Sequence, residues 1–303
     1  MQPEITAKSW IMVATLGFVW GASFLFIELA LEGIGPVWLS ASRVVLAAFL
    51  THLVWLFQGH KLYPTEEKAH SAALIAVGVM STALPFTLIS WGQQTVTAGF
   101  AGISMAAVAL IVLPLAHFFV PGERLNLRRI VGFLIGFLGV VVLIGPEALT
   151  ASGTAGETLG RLACVGGAAC YAVSSVVMRR LPPIDPVGLS AVTLWIGAAM
   201  IVPIAFYSEG LPPVPTATVL AVIFTLGLIQ TAAANLLRIA VIRSAGPVFM
   251  SLTNYQVPLW SVLLGVLLLG EDVTQSLFLA LILILTGVLL SQWGALRRLF
   301  AAS

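Results

Sequence analysis

Apolar residues along this chain come in ten blocks, separated by short polar stretches and broken inside only by sparse hydroxyl, amide and glycine positions. Each block is about 17–25 residues long, enough helix to cross ~30 Å of hydrocarbon. The pattern predicts spans 1 to 10 at 9–30, 37–57, 71–91, 96–119, 128–146, 159–180, 187–207, 216–237, 245–268 and 276–295. Nearly every connection is short. The longest, around 58–70, reads as a polar surface loop, and the Gly/Thr/Ser-rich 147–158 joins two halves.

The halves carry one pattern twice. Gly122-Glu123-Arg124-Leu125 followed by Gly139-Val140 returns 148 residues later as Gly270-Glu271-Asp272-Val273 followed by Gly287-Val288, with sixteen residues from glutamate to glycine in both. Trp20-Gly21-Ala22-Ser23 aligns with Tyr171-Ala172-Val173-Ser174, Pro36-Val37-Trp38-Leu39-Ser40-Ala41 with Pro186-Val187-Gly188-Leu189-Ser190-Ala191, and Thr97-Ala98-Gly99 with Ser244-Ala245-Gly246. Five spans per copy is an odd number, so the second copy, 159–295, must enter the bilayer upside down relative to the first, 9–146. Inverted repeats of this kind build secondary transporters, with half-sites facing each other near the midplane. The expected fold class is an all-α membrane protein, ten transmembrane helices in two inverted five-helix repeats, forming one transporter domain over 1–303.

Composition agrees. Of 303 residues 59% are hydrophobic and only 9% charged, with a mean hydropathy of +1.06, whereas soluble domains carry about 25% charged residues. The basic residues then orient the chain. With the N-terminus cytoplasmic, the inner loops and ends hold twelve of them (Lys8, Lys61, Lys68, Arg124, Arg128, Arg129, Arg179, Arg180, Arg238, Arg243, Arg297 and Arg298) and the outer loops only Arg161. That asymmetry is the positive-inside pattern and places both termini in the cytoplasm. A net charge of +2 then reflects orientation and gives no reason to expect a nucleic-acid partner. The first apolar block is long and lacks a small-residue cleavage pattern, so it reads as a retained helix. Cys164 and Cys170, six apart on one helix, read as packing thiols with no metal spacing.

The layout resembles the drug/metabolite transporter superfamily, in its ten-helix EamA type, over nearly the whole chain. The likeness rests on Trp20-Gly21-Ala22-Ser23, on Pro36 followed by Arg43, and on Pro258 thirteen residues before Gly270-Glu271. In the first half the position matching Pro258 is Leu110, with the nearest proline displaced to Pro114. Within the superfamily the chain is most similar to exporters of aromatic and other apolar amino acids in the bacterial inner membrane. The resemblance therefore implies a small-molecule substrate, a lipid environment and export by alternating access, while related carriers move sugars, nucleosides or drugs, some of them coupled to protons.

Polar residues at membrane depth need partners and mark pathways. Helical spacing groups Thr231, Asn235 and Arg238 in span 8, Met250, Asn254 and Val257 in span 9 with Tyr255 and Gln256 alongside, and Thr87, Trp91 and Gln94 in span 3. Trp20, Ser23 and Phe24 in span 1 are repeat mates of Tyr171, Ser174 and Met178 in span 6. Trp195 and Trp260 also lie deep in their spans, whereas Trp10, Trp38, Trp55 and Trp293 sit at span ends as interface anchors. Together these residues would build an aromatic cavity with a few amide and hydroxyl groups. Packing between helices is the alternative for the small and hydroxyl residues.

Arg43 lies about one and a half turns into span 2. Either it pairs with Glu28 or Glu32 at the end of span 1, or it binds a substrate carboxylate. Glu123 and Glu271 are expected to cap or brace the helix that follows each, and His52 and His117 to pack or hydrogen-bond. Pro85, Pro114, Gly246-Pro247 and Pro258 are candidate hinges, because an interior proline removes a backbone bond.

Absences narrow the chemistry further. No acidic residue lies at the middle of a span, which argues against proton-for-cation exchange, and no lysine lies inside one, which weakens a phosphorylated substrate. The sequence holds no His-Glu-x-x-His, no Gly-x-Ser-x-Gly and no filter-like ring of charge, so neither an enzyme nor a channel is expected. No cofactor and no metal are expected either. A neutral or zwitterionic substrate with an apolar side chain, moved by facilitated diffusion, fits best. Glycine-rich faces on spans 5 and 10 would pack either within one molecule or between two.

Overall fold

A computed structural model of the chain describes residues 6–59, 62, 71–120, 126–144, 155–250 and 252–301. All secondary structure among them is helical: α1 (Ala7–Leu31), α2 (Pro36–Phe57), α3 (Ser71–Gly92), α4 (Ala98–Phe119), α5 (Leu127–Ile144), α6 (Ala155–Met178), α7 (Pro186–Glu209), α8 (Ala217–Ile242), α9 (Thr253–Leu269) and α10 (Gln275–Ala301). Seven of them, α1 to α4 and α6 to α8, are long and apolar enough to cross a membrane on length and composition alone. Large apolar side chains such as Leu134, Phe137, Leu267, Phe278 and Ile282 point outward, as a lipid-facing surface requires. The repeated motif 122–125, the linker 147–154 and most of the loop 58–70 lie outside the described residues, Glu123 among them.

The helix starts explain why the repeat motifs recur. Pro36 and Pro186 open α2 and α7, where the missing N–H costs nothing. The side chains of Thr6, Thr97, Asp185 and Thr216 accept hydrogen bonds from backbone N–H groups in the first turns of α1, α4, α7 and α8. In a bilayer such caps matter more than in water, because nothing else can satisfy those donors.

Packing follows the repeat. Exchanging each helix for its mate five places along turns the close pair α1/α9 into α6/α4, and α2/α8 into α7/α3, while α2/α7, α4/α9 and α5/α10 map onto themselves. The ten membrane helices thus form two inverted five-helix repeats, interleaved so that most close contacts cross between halves. α5 and α10 pack within the molecule. A Cβ on Gly287 would stand 2.5 Å from both Gly132 O and Gly136 N, so glycine sets how closely these backbones approach.

Three expectations change. Helical backbone runs on from α8 through Met250, so the segment expected to open span 9 continues a helix, and α9 begins at Thr253. Trp38 and Trp55 are buried: Trp38 Nε1 donates to Gly210 O at 3.0 Å, and Trp55 packs beside Gly188 of α7. Both indoles serve the α2/α7 seam, while Trp10 and Trp293 remain about half exposed. Glu271 caps α4, not the helix that follows it.

Replacing Gly287 with Val should force α5 and α10 apart, at a cost of about 1–3 kcal/mol for overpacking. Thermal unfolding in detergent should show a clear drop in Tm. Gly166→Ala should not, because its Cβ would meet only Leu88 at 3.7 Å. Equal midpoints for the two variants would refute the seam.

Candidate functional site

Between the repeats lies a cavity of about 970 Å³. Its lining includes the start of α5 (Asn126, Arg128, Arg129), the end of α6 (Met178, Arg179), the start of α7 (Pro186, Leu189, Ser190), His117 late in α4 and Gly294 late in α10. All of these stand at the face that carries the chain ends. The cavity therefore reaches that face and extends inward to Ile27, Arg43, Phe86 and Ile89.

Arg43 occupies the inner end. It is 7% exposed, its Nε donates to Thr231 Oγ1 at 2.7 Å, and its guanidinium carbon stands 4.3 Å from the centroid of the Phe86 ring. The expected ion pair with Glu28 or Glu32 does not form, because Arg43 turns inward toward α8 and α3. A hydroxyl and a ring face, the latter worth about 2 kcal/mol when desolvated, compensate the buried charge only in part. Among the described residues Arg43 has no carboxylate partner. The same holds for Arg238, which lines the cavity nearer its mouth and makes neither a hydrogen bond nor an ion pair among the described residues.

Local backbone geometry puts Thr231 there. Residues Thr225–Ala233 of α8 are wound as a π-helix, and Thr231 Oγ1 donates to Leu226 O, five residues back, at 2.8 Å. Widening the helix turns Gln230 inward as well. Gln230 lines the cavity at 3% exposure, with an Oε1 that has no hydrogen-bond partner. The repeat mate α3 carries a π-turn too, at Val79–Ala83, next to the proline at 85. π-turns of this kind gather at functional sites.

Of the residues singled out from sequence, Trp20, Ser23, Phe24, Arg43, Tyr171, Ser174, Asn235 and Asn254 share this cavity. Ser23 and Ser174 spend their protons on carbonyls of their own helices, whereas the side chains of Asn235 and Asn254 make no hydrogen bond among the described residues. Tyr171 meets Phe86 edge-on at 6.5 Å, so Arg43, Phe86 and Tyr171 form one polar-aromatic wall. The others lie elsewhere. Trp91 and Gln94 are exposed near the opposite face, Thr87 bonds to Ala83 O, and Trp195 is exposed beside His52. Gln256 and Trp260 cover Gly17 and Gly21 in the α1/α9 seam, and Tyr255 buries its hydroxyl without a partner outside the cavity. Sequence reasoning missed Gln230, Phe86 and Met105, because ideal α-helical spacing places Gln230 off the Thr231 face.

At the opposite face, contacts tie the two halves together. Glu209, closing α7, accepts from Val37 N and Trp38 N at the start of α2, at 2.9 and 3.0 Å. Glu271 accepts from Ala98 N and Gly99 N at the start of α4, at 2.6 and 3.0 Å. Gly270, at φ +69°, ends α9 in the left-handed region and lets the chain turn back to make that contact. Each carboxylate satisfies two free donors at the positive end of a helix. Gln93 Nε2 adds a bond to Phe24 O at 2.9 Å, and Ser40 one to Ser90 at 3.3 Å.

Comparison with known proteins agrees with this picture. The family model described as "EamA-like transporter family" matches residues 7–145 and 158–293, one match per half. The chain is 22% identical over 289 residues to a Bacillus subtilis protein named as the uncharacterized transporter YoaV, covering 94% of this chain and 97% of that one. It is 25% identical over 283 residues to the Escherichia coli protein named as the uncharacterized inner membrane transporter YedA, covering 92% and 89%. It is 23% identical over 284 residues to the protein PecM of Dickeya dadantii, covering 90% and 89%. A solved crystal structure superimposes with a TM-score of 0.65 at 18% identity, over 97% of this chain and 99% of that one, a likeness of fold.

Substituting Glu271 by Ala removes two charge-assisted hydrogen bonds of about 1.5–3 kcal/mol each and should loosen the face that this carboxylate ties. A cysteine placed at Ser23 should then react faster with an impermeant thiol reagent added from that face, by roughly tenfold or more for each 1.4 kcal/mol lost. Unchanged labelling would show that the carboxylate does not hold that end closed.

Proposed function

This chain belongs to the EamA-like transporter family, and from that premise we propose that it exports aromatic and other apolar amino acids across the cytoplasmic membrane of a bacterium. The observation that carries the reading is Arg43, a buried guanidinium without a carboxylate partner, at the inner end of an aromatic-walled cavity that reaches one face. A substrate carboxylate supplies the missing partner in a bidentate geometry that a guanidinium favours. Gln230 Oε1 and the amide of Asn254 recognise the amino group, and Trp20, Phe24, Phe86 and Tyr171 hold the apolar side chain. Asn235 and the repeat-related hydroxyls complete the polar lining.

Orientation follows from charge. Lys8, Arg128, Arg129 and Arg179 lie at the face to which the cavity opens, and the positive-inside rule makes that face cytoplasmic, with both termini. The open cavity is then the loading state of an exporter. Transport proceeds by alternating access between the two five-helix halves, 9–146 and 159–295, with the π-turns of α3 and α8 and the prolines at 85, 114 and 258 as the places where helices bend. No carboxylate lines the cavity among the described residues, and its one titratable imidazole, His117, stands near the mouth and away from Arg43; we read the route as facilitative.

Exchange in proteoliposomes tests this directly. Vesicles loaded with unlabelled phenylalanine should take up trace labelled phenylalanine saturably, with competition from apolar amino acids but not from sugars or nucleosides, and with indifference to a pH gradient. Arg43→Gln should raise KM at least tenfold, and Arg43→Lys should restore it only in part. Competition by sugars or nucleosides alone, or a wild-type KM in Arg43→Gln, would overturn the reading.

A further inference from the structure

Every carboxylate or guanidinium that lines the cavity among the described residues is a guanidinium. Five arginines line it, Arg43, Arg128, Arg129, Arg179 and Arg238, and among the described residues no aspartate or glutamate does. Two of the five lie along one path. Arg43 meets α8 at Thr231, and Arg238 lies seven residues further toward the open face on the same helix, roughly 10 Å at helical rise. Both lack a carboxylate partner among the described residues. What the lining offers an ammonium is neutral oxygen, such as Gln230 Oε1, which has no hydrogen-bond partner, and the side chains of Asn235 and Asn254. Such an oxygen satisfies any N–H equally well and supplies no countercharge.

We infer that the cavity is built for net-anionic carboxylates with an apolar body, and that the membrane potential drives their export. The inference rests on the reading of this cavity as the export site, and it changes the substrate class from the zwitterion to the monoanion. A low-dielectric cleft lined by one sign of charge concentrates ligands of the other sign. Removing the ammonium from a substrate forfeits hydrogen bonds to neutral oxygens only and leaves the attraction of its carboxylate to Arg43 and Arg238 uncancelled. An anion released outside a cell that is negative inside moves down its electrical gradient. The potential thereby supplies a driving force that needs no proton gradient.

The test compares three molecules with one aromatic body in proteoliposomes: phenylalanine, its N-acetyl derivative (a monoanion) and phenylalaninamide (a cation). A tenfold potassium gradient with valinomycin sets the potential, which redistributes a monovalent anion about tenfold at equilibrium. N-acetyl-phenylalanine should move at least as fast as phenylalanine, accelerate when its own side is made negative and slow when the gradient is reversed. Phenylalaninamide should not move. Arg238→Gln should cut the preference for the monoanion over phenylalanine several-fold, and Arg238→Lys should keep it, with both substrates read in the same vesicles.

Where phenylalanine moves, failure of its N-acetyl derivative to move, indifference of the monoanion to the potential, or transport of the amide overturns the inference and leaves the amino-acid reading standing. Transport of the monoanion alone upholds the inference and overturns that reading. Transport of none of the three overturns both.

Discussion

A helix that begins inside a membrane protein has donors that neither lipid nor absent water can satisfy, and the way these donors are met shapes the rest of the molecule. α2 and α4 begin at the face opposite the chain ends, and each gives two N–H groups to one carboxylate, Glu209 or Glu271. Both carboxylates come from the second half and both helices from the first, so satisfying the backbone also locks the halves together at that face. The cavity is left to open at the other. One-sidedness, which any account of transport needs, therefore follows from helix capping.

The second constraint is the buried guanidinium. Moving an arginine to membrane depth costs about 2.5–3.5 kcal/mol on insertion scales, and Thr231 with the Phe86 ring offsets part of that. Thr231 meets Arg43 from within the segment where α8 is wound as a π-helix. Unpaired charge, widened helix and orphaned Gln230 Oε1 are thus one arrangement, and each is a place where the chain holds a local cost against its fold. Costs of this kind concentrate where a ligand completes the bonding.

How much of this was legible in the sequence depended on which signal carried it. Span positions followed from hydrophobic blocks and came within a few residues at most ends, since lipid demands long apolar runs. The inverted repeat was legible because helix-start residues such as Pro36 and Pro186 recur in order. Faces on regular helices came through too: Trp20, Ser23 and Phe24, Tyr171 and Ser174, and Asn254 share the cavity as helical spacing predicts. Where the backbone departs from α geometry the reading failed. Helical spacing does not mark Gln230, the apolar block puts the start of α9 too early, and the same spacing counts Gln256 and Trp260 as lining although Gly17 and Gly21 draw them into a seam. For Arg43 the sequence leaves a pair with Glu28 or Glu32 and a substrate carboxylate both open, because proximity along the chain says nothing of α8. The direction of the Glu271 cap escaped for the same reason, its acceptor site being set by packing between halves.

The central claim is that Arg43 receives a substrate carboxylate while the aromatic wall receives its apolar body. A crystal structure with bound 4-bromophenylalanine tests it most directly, because the bromine locates the ring by anomalous scattering. The account predicts the carboxylate within hydrogen-bonding distance of the Arg43 guanidinium and the bromine among Trp20, Phe24 and Tyr171. A ligand lodged at the mouth near Arg128 and Arg179, with Arg43 still bonded only to Thr231, would contradict it.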